Sequence, residues 1–321
     1  IFNRKKFNSN DFNFINNYYS RKTFNSDFNL ISKKIIIKNQ LHNITLDCYK
    51  KRKKIKQKIE LISKNNKLKN KYILILHGSF STGVITDFSD IDLVLFVDFV
   101  DYEYDDFRKL HKLIYNLNKF IYNYDTLAHH GVEVFNINNF NNYDETILPL
   151  STLEQSTLLN YQKDLELTIN VNFNLAKKNS IFKFNEQVNN ILNLKKKYYN
   201  YSPYRIKSMI SVFFLICILK IQADESLFMY KKDSLIYVKQ KKIFDSKIIS
   251  EISTIRKNWR TKFFSKVIRM MFNLLLPLIP SLLIGQKVNI IIYNPFIYFS
   301  NKKIFLEIYN YIEKYKNYEK N

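Results

Sequence analysis

Hydrophobic positions along the chain fall into distinct patterns. Tyr72-Ile73-Leu74-Ile75-Leu76 and Ile91 to Val97 are short unbroken apolar runs, the first closed by Gly78, and both read as buried strands. The stretch between them has room for one short helix. From Gln40 to Lys64 the residues Leu41, Ile44, Cys48, Ile55, Ile59 and Ile62 recur as on one helix face, with lysines on the other. A further helix is predicted over Asp105 to Tyr122, ahead of the short alternating run Val132-Glu133-Val134-Phe135. After Phe135 the character changes. Pro149-Leu150-Ser151-Thr152 carries a cap signal and opens helical periodicity that runs past Leu158. Pro203 restarts it, Tyr204 to Gln222 is largely apolar apart from Arg205, Lys207 and Lys220, and Ser226 to Phe244 and Ser246 to Trp259 read as two more helices. Strands followed by helices imply an α+β chain. It divides into a basic low-complexity segment over 1–39, a domain with a small mixed sheet and helices over 40–148, and a mainly helical bundle over 149–321.

The chemistry concentrates where the two strands meet. Between them lie His77-Gly78-Ser79-Phe80-Ser81-Thr82-Gly83 and then Ser89-Asp90-Ile91-Asp92-Leu93. Side chains alternate along a strand, so Asp90 and Asp92 are expected on one face and Ile91 and Leu93 on the other. Two carboxylates held that close repel, and a divalent cation such as magnesium, which prefers oxygen ligands, relieves the repulsion. Gly78 lets backbone approach a ligand, and Ser79 and Ser89 offer hydroxyls, which together suit a nucleoside triphosphate. Taken singly, each feature has an ordinary reading. An Asp-x-Asp pair is often a solvated turn, and His77, His129 and His130 fit hydrogen-bonded structural roles as well as ligand contacts.

As a compound pattern, Gly78-Ser79, Gly83 and Ser89-Asp90-Ile91-Asp92-Leu93 resemble the signature of the nucleotidyltransferase superfamily of the DNA polymerase beta type, over roughly residues 70 to 136. The helical part faintly resembles the C-terminal helical substrate domains of bacterial nucleotidyltransferases. The resemblance implies a polymerase-beta-like core followed by a helical lid, nucleoside triphosphate as substrate, and two magnesium ions. An acceptor hydroxyl would attack the α-phosphorus and pyrophosphate would leave. It also implies a third acid on a later strand, for which Glu133 is the leading candidate and Asp125 the alternative. Asp90, Asp92 and Glu133 would be the metal-binding and catalytic set, with Gly78, Ser79 and Ser89 on the nucleotide. Ser81 and Thr82 stand where minimal members often have Ala-Arg, so a phosphate contact made by that arginine is absent or comes from elsewhere. Lys231, Lys232, Arg256 and Arg260 are the helical-part cations to inspect for it, although each also fits plain surface charge. Asp90→Asn is expected to abolish turnover without unfolding the domain.

Composition adds little. Lys+Arg 51 against Asp+Glu 28 gives a net charge of +23, a field that draws in polyanions. The abundance of Asn, Ile, Phe and Tyr, with only 4 Gly and 5 Pro, is also what an A+T-rich coding sequence produces. The run Lys50-Lys51-Arg52-Lys53-Lys54 reads as a solvated helix face. Arg4 to Ile15 is echoed at Arg21 to Ile31, too briefly for a repeat architecture. Cys48 and Cys217 imply no disulfide framework, and the start lacks a secretory signal, so a cytoplasmic setting is expected. Met270 to Gly285 is apolar but short for a span and broken by Pro277 and Pro280, so it reads as a core element or an interfacial patch, and membrane contact is not expected. The acceptor stays open among a small molecule, a sugar, a protein hydroxyl and an RNA end. The second function class is a catalytically weak or inactive protein, nucleotide-binding or antitoxin-like, that retains the fold.

Overall fold

The computed structural model describes residues 30–41, 46–66, 68, 71–83, 85–86, 88–99, 102–124, 128, 131–194, 203–258 and 295–316. Nearly all of the N-terminal echo, the Met270 to Gly285 run, Asp125, His129, His130 and Arg260 lie outside these residues.

The chain opens with strand β1 (Ile31–Ile37) and helix α1 (Leu46–Lys64). The first apolar run becomes β2 (Tyr72–His77), the short helix after it is α2 (Gly78–Thr82), and the second run becomes β3 (Asp92–Val97). Helix α3 (Tyr104–Tyr124) leads to β4 (Glu133–Asn136) and a 3-10 turn over Ile137–Asn142. β2 and β3 pair antiparallel with Tyr72 opposite Val97 and His77 opposite Asp92, while β4 joins β3 in parallel with Glu133 opposite Val94.

Beyond residue 149 the expected continuous helical pattern does not hold. Helix α4 (Leu150–Glu154) is short, β5 (Thr157–Leu158) adds to the free edge of β2, and β6 (Leu165–Val171) pairs antiparallel with β1. The result is a four-stranded sheet in the order β4-β3-β2-β5 and a two-stranded β1-β6 ribbon. Leu165-Glu166-Leu167-Thr168-Ile169-Asn170-Val171 alternates with period two, which suits a ribbon with one covered face better than a helix.

Both faces of the four-stranded sheet are covered, which explains the unbroken apolar runs. Leu74, Leu76, Leu93 and Leu95 pack against Ile55 and Ile59 of α1 and Leu110, Leu113 and Leu117 of α3. On the opposite face Ile73, Ile75, Val94 and Phe96 meet Ile35 and Ile37 of β1 and Ile169 and Val171 of β6.

The remainder is helical: α5 (Phe173–Leu192), α6 (Pro203–Glu225), α7 (Lys231–Gln240), α8 (Ser246–Lys257) and α9 (Pro295–Ile312). By length and composition Arg205–Glu225 could cross a membrane, but most of it is buried inside the protein. Ile206, Ile210, Phe213 and Cys217 form the centre of a core shared with Phe184 of α5, Val238 of α7, Ile249 of α8 and Phe305 of α9. One member comes from outside the bundle. Phe88, two residues before Asp90, is buried in this helical core.

Candidate active site

The loop from His77 to Gly83 is held on several sides. Gly78 adopts φ +66 and Gly83 φ +86, both in the left-handed region that side chains disfavour. A Cβ on Gly78 would also collide with Oδ2 of Asp92, so the bare backbone at Gly78 is what lets that carboxylate approach. The Gly83 amide donates to the Ser79 carbonyl at 2.7 Å and closes the turn. Phe80 is buried and meets Tyr124 edge-on at 5.6 Å. The Ser81 hydroxyl donates to the Gln155 carbonyl at 2.6 Å and shares a hydrogen bond with Thr157 at 2.9 Å, tying the loop to β5.

Arg52 departs from the expected solvated basic face of α1. It is fully buried, and its guanidinium donates to the Phe80 carbonyl at 2.7 Å and to the Ser81 carbonyl. Its neighbours Lys50, Lys51, Lys53 and Lys54 are exposed as expected.

Ser89 is nearly buried and works within its own loop. Its hydroxyl accepts from the Thr86 amide at 2.9 Å, and its amide donates to the Thr86 carbonyl at 3.0 Å. This turn delivers Asp90 and then Asp92, the first residue of β3. Asp92 is half-buried beside Gly78, across the strand pair from His77. Asp90 precedes the strand and is 8% exposed.

The bundle supplies the opposing charge. Lys207 of α6, 1% exposed, donates from Nζ to Oδ1 of Asp90. Phe88 lies beneath that ammonium at 5.5 Å and beneath the Arg256 guanidinium at 5.4 Å. Phe214 of α6 likewise carries Arg256 at 5.8 Å and Lys231 at 5.9 Å. These aromatic faces attract cations while keeping water away. Loss of hydration first, and the adjacent Arg256 second, push Lys231 down to about 8, while Asp92 and Asp90 pull it back. The same desolvation lowers Arg256 against the pull of Asp92 and Asp90. Tyr230, which precedes α7, shares a hydrogen bond with the Thr82 hydroxyl at 3.1 Å, so the bundle touches the loop directly. Burial pushes the Tyr230 phenol up, partly offset by the Thr82 bond.

Of the acids expected to act together, Asp90 and Asp92 are neighbours, and Glu133 stands one strand away. Its register partner is Val94, so Glu133 shares the sheet face of Asp92 and Val94. It is exposed on the edge strand, and with Asp144 it draws on the Lys183 ammonium of α5. Among the described residues, no three His, Cys, Asp or Glu side chains gather into a group that could hold a metal ion, this trio included. Lys231 and Arg256 lie at the site. Lys232 is exposed. Lys207 and the two aromatic platforms were not singled out by sequence reasoning. The signal available was a lysine within a largely apolar helix, which a buried partner explains.

Residues 46–149 match the family model of the nucleotidyltransferase domain. No curated protein and no solved structure matches the chain. The matched residues run from α1 past β4 and include Gly78 of α2, Asp90, Asp92 and Glu133, and the match supports a nucleotidyltransferase domain of the DNA polymerase beta type in this region.

Proposed function

We propose that this domain transfers a nucleoside monophosphate from a nucleoside triphosphate to a hydroxyl acceptor, with the triphosphate lying between the Gly78–Gly83 loop and the cations of the helical bundle. The observation that carries the reading is the gathering of Lys231 and Arg256, from two different helices, over Phe214 and, for Arg256, over Phe88 two residues before Asp90, where Asp92 and Asp90 draw both cations. Cations built into a partly dry pocket against aromatic faces suit a multiply charged phosphate chain. They also supply what the loop lacks where Ser81 and Thr82 replace Ala-Arg.

Two carboxylates, completed by the oxygens of a bound phosphate chain, would hold a divalent metal here. Asp90 and Asp92 are hard oxygen donors separated by Ile91, and Gly78 leaves room for Asp92 where any Cβ would strike its carboxylate. Such an ion, magnesium in the simplest case, would neutralise phosphate charge when bound. In the transfer the acceptor oxygen bonds to the α-phosphorus as the bond to the departing pyrophosphate breaks. The acceptor's proton passes to a base, a role this reading gives to Glu133, which is exposed on the sheet face it shares with Asp92. Acceptors of every class carrying a hydroxyl remain compatible: small molecules, sugars, protein side chains and RNA ends.

The test is calorimetric titration of the full chain with each nucleoside triphosphate, with and without magnesium. Wild type is expected to bind one or more of them in a magnesium-dependent way. Asp92→Asn should lose that dependence while its melting temperature holds. Failure of wild type to bind any triphosphate overturns the reading.

A further inference from the structure

The expectation of two divalent ions meets an obstacle in the structure. A carboxylate that serves two metal ions needs its oxygens for them, yet Oδ1 of Asp90 receives the Lys207 ammonium. This is an interior pair: Asp90 is 8% exposed and Lys207 1%. Lys207 is anchored in its helix between Ile206 and Met209, both buried, and its Nζ rests over Phe88. An ammonium in such surroundings is held by its counter-charge, because separating the pair leaves a charge stranded away from water. The remaining charges point the same way. Lys231 and Arg256 are drawn by the same two carboxylates, so three protein cations already face Asp90 and Asp92. Among the described residues, any divalent ion there adds to three cations that face two acids. The third acid that would help carry a second ion is not gathered with the other two among the described residues.

We infer that the Lys207 ammonium takes the place of one of the two cations expected at this carboxylate pair, so that the site takes up one divalent ion per chain. The inference rests on the reading of Asp90 and Asp92 as metal-holding carboxylates and changes the stoichiometry that reading implied. An ammonium and a divalent ion are alternatives at an anionic oxygen, but the ammonium is covalently part of the bundle and cannot be removed by a chelator. One of the two positive charges is thereby built into the fold.

The experiment is a count of bound manganese(II), read from the loss of the free-ion electron paramagnetic resonance signal, on the full chain as wild type, Lys207→Met and Asp92→Asn. Melting curves run in parallel. One ion is expected per wild-type chain, two per Lys207→Met chain, and none for Asp92→Asn. A role for Lys207 in packing alone would not change the count. Two ions on wild type overturn the inference while leaving the metal-holding site intact, and so does a folded Lys207→Met that binds only one. If Lys207→Met does not fold, the wild-type count decides by itself. No ion on wild type or Lys207→Met overturns the inference and the site reading together.

Discussion

At the scale of single residues, the partner of each carboxylate decides which substitution is informative. Asp90→Asn removes the counter-charge of a buried ammonium, and breaking one side of such a pair costs about 3–5 kcal/mol. The expectation that this change spares the fold is therefore replaced: Asp90→Asn should lower the melting temperature, whereas half-buried Asp92 is the cleaner probe. Gly78→Ala should combine a left-handed backbone strain of about 1–2 kcal/mol with displacement of the Asp92 carboxylate. Denaturant titration and nucleotide titration would show both losses in one variant.

Lys231 gives a pH dependence of defined sign. Its folded value of about 8 lies below the ordinary 10.5, so the native chain binds fewer protons than the unfolded chain between those values. The corresponding stability is present above the ordinary value and is lost as pH falls through about 8. Affinity for polyphosphate runs the other way, because the ammonium loses its proton as pH rises through the same point. Tripolyphosphate titrations from pH 6 to 10 should show weakening centred near that point in wild type and no such step in Lys231→Met.

At the scale of elements, α2 is positioned by a residue that sequence reading placed on the outside. Arg52→Met keeps a long apolar stem but removes the donors to the Phe80 and Ser81 carbonyls, and each carbonyl left without a partner costs about 1–3 kcal/mol. Weaker nucleotide binding at temperatures where the variant is fully folded is the expected readout. Whether a basic residue turns inward depends on what stands across from its helix, which neighbouring residues do not encode. The strands that flank the site were legible because an apolar run covered on both faces needs no partner information to be recognised. The β1-β6 ribbon was not. Its pairing joins Ile31 to Val171, far apart in sequence, and β1 has most of its surface exposed within a lysine- and asparagine-rich stretch. The alternation in Leu165–Val171 is visible, but it follows a helix-cap signal that pointed to another period.

For the whole molecule, the division between sheet and bundle does not divide the site. The motif half was readable because Gly-Ser and Asp-Ile-Asp stand close together along the chain. Of the cationic half, Lys231 and Arg256 were named as residues to inspect, but Lys207 and the meeting of all three at the carboxylates were not legible, since they come from three helices that meet only after folding. Phe88 joins the two halves, since it precedes the carboxylates in sequence yet is buried among the helices. Cooperative units in a protein are set by what packs together, not by what adjoins along the chain. The amides of Phe88, Ser89 and Asp90 should therefore exchange hydrogen with the bundle's opening free energy and not with that of β2 and β3, and a destabilised bundle, for instance Phe305→Ala, should speed their exchange while leaving Leu74 and Leu95 protected. Such a chain would lose its grip on the carboxylates before its sheet unfolds, so partial thermal damage would silence the domain while most of its backbone stays native.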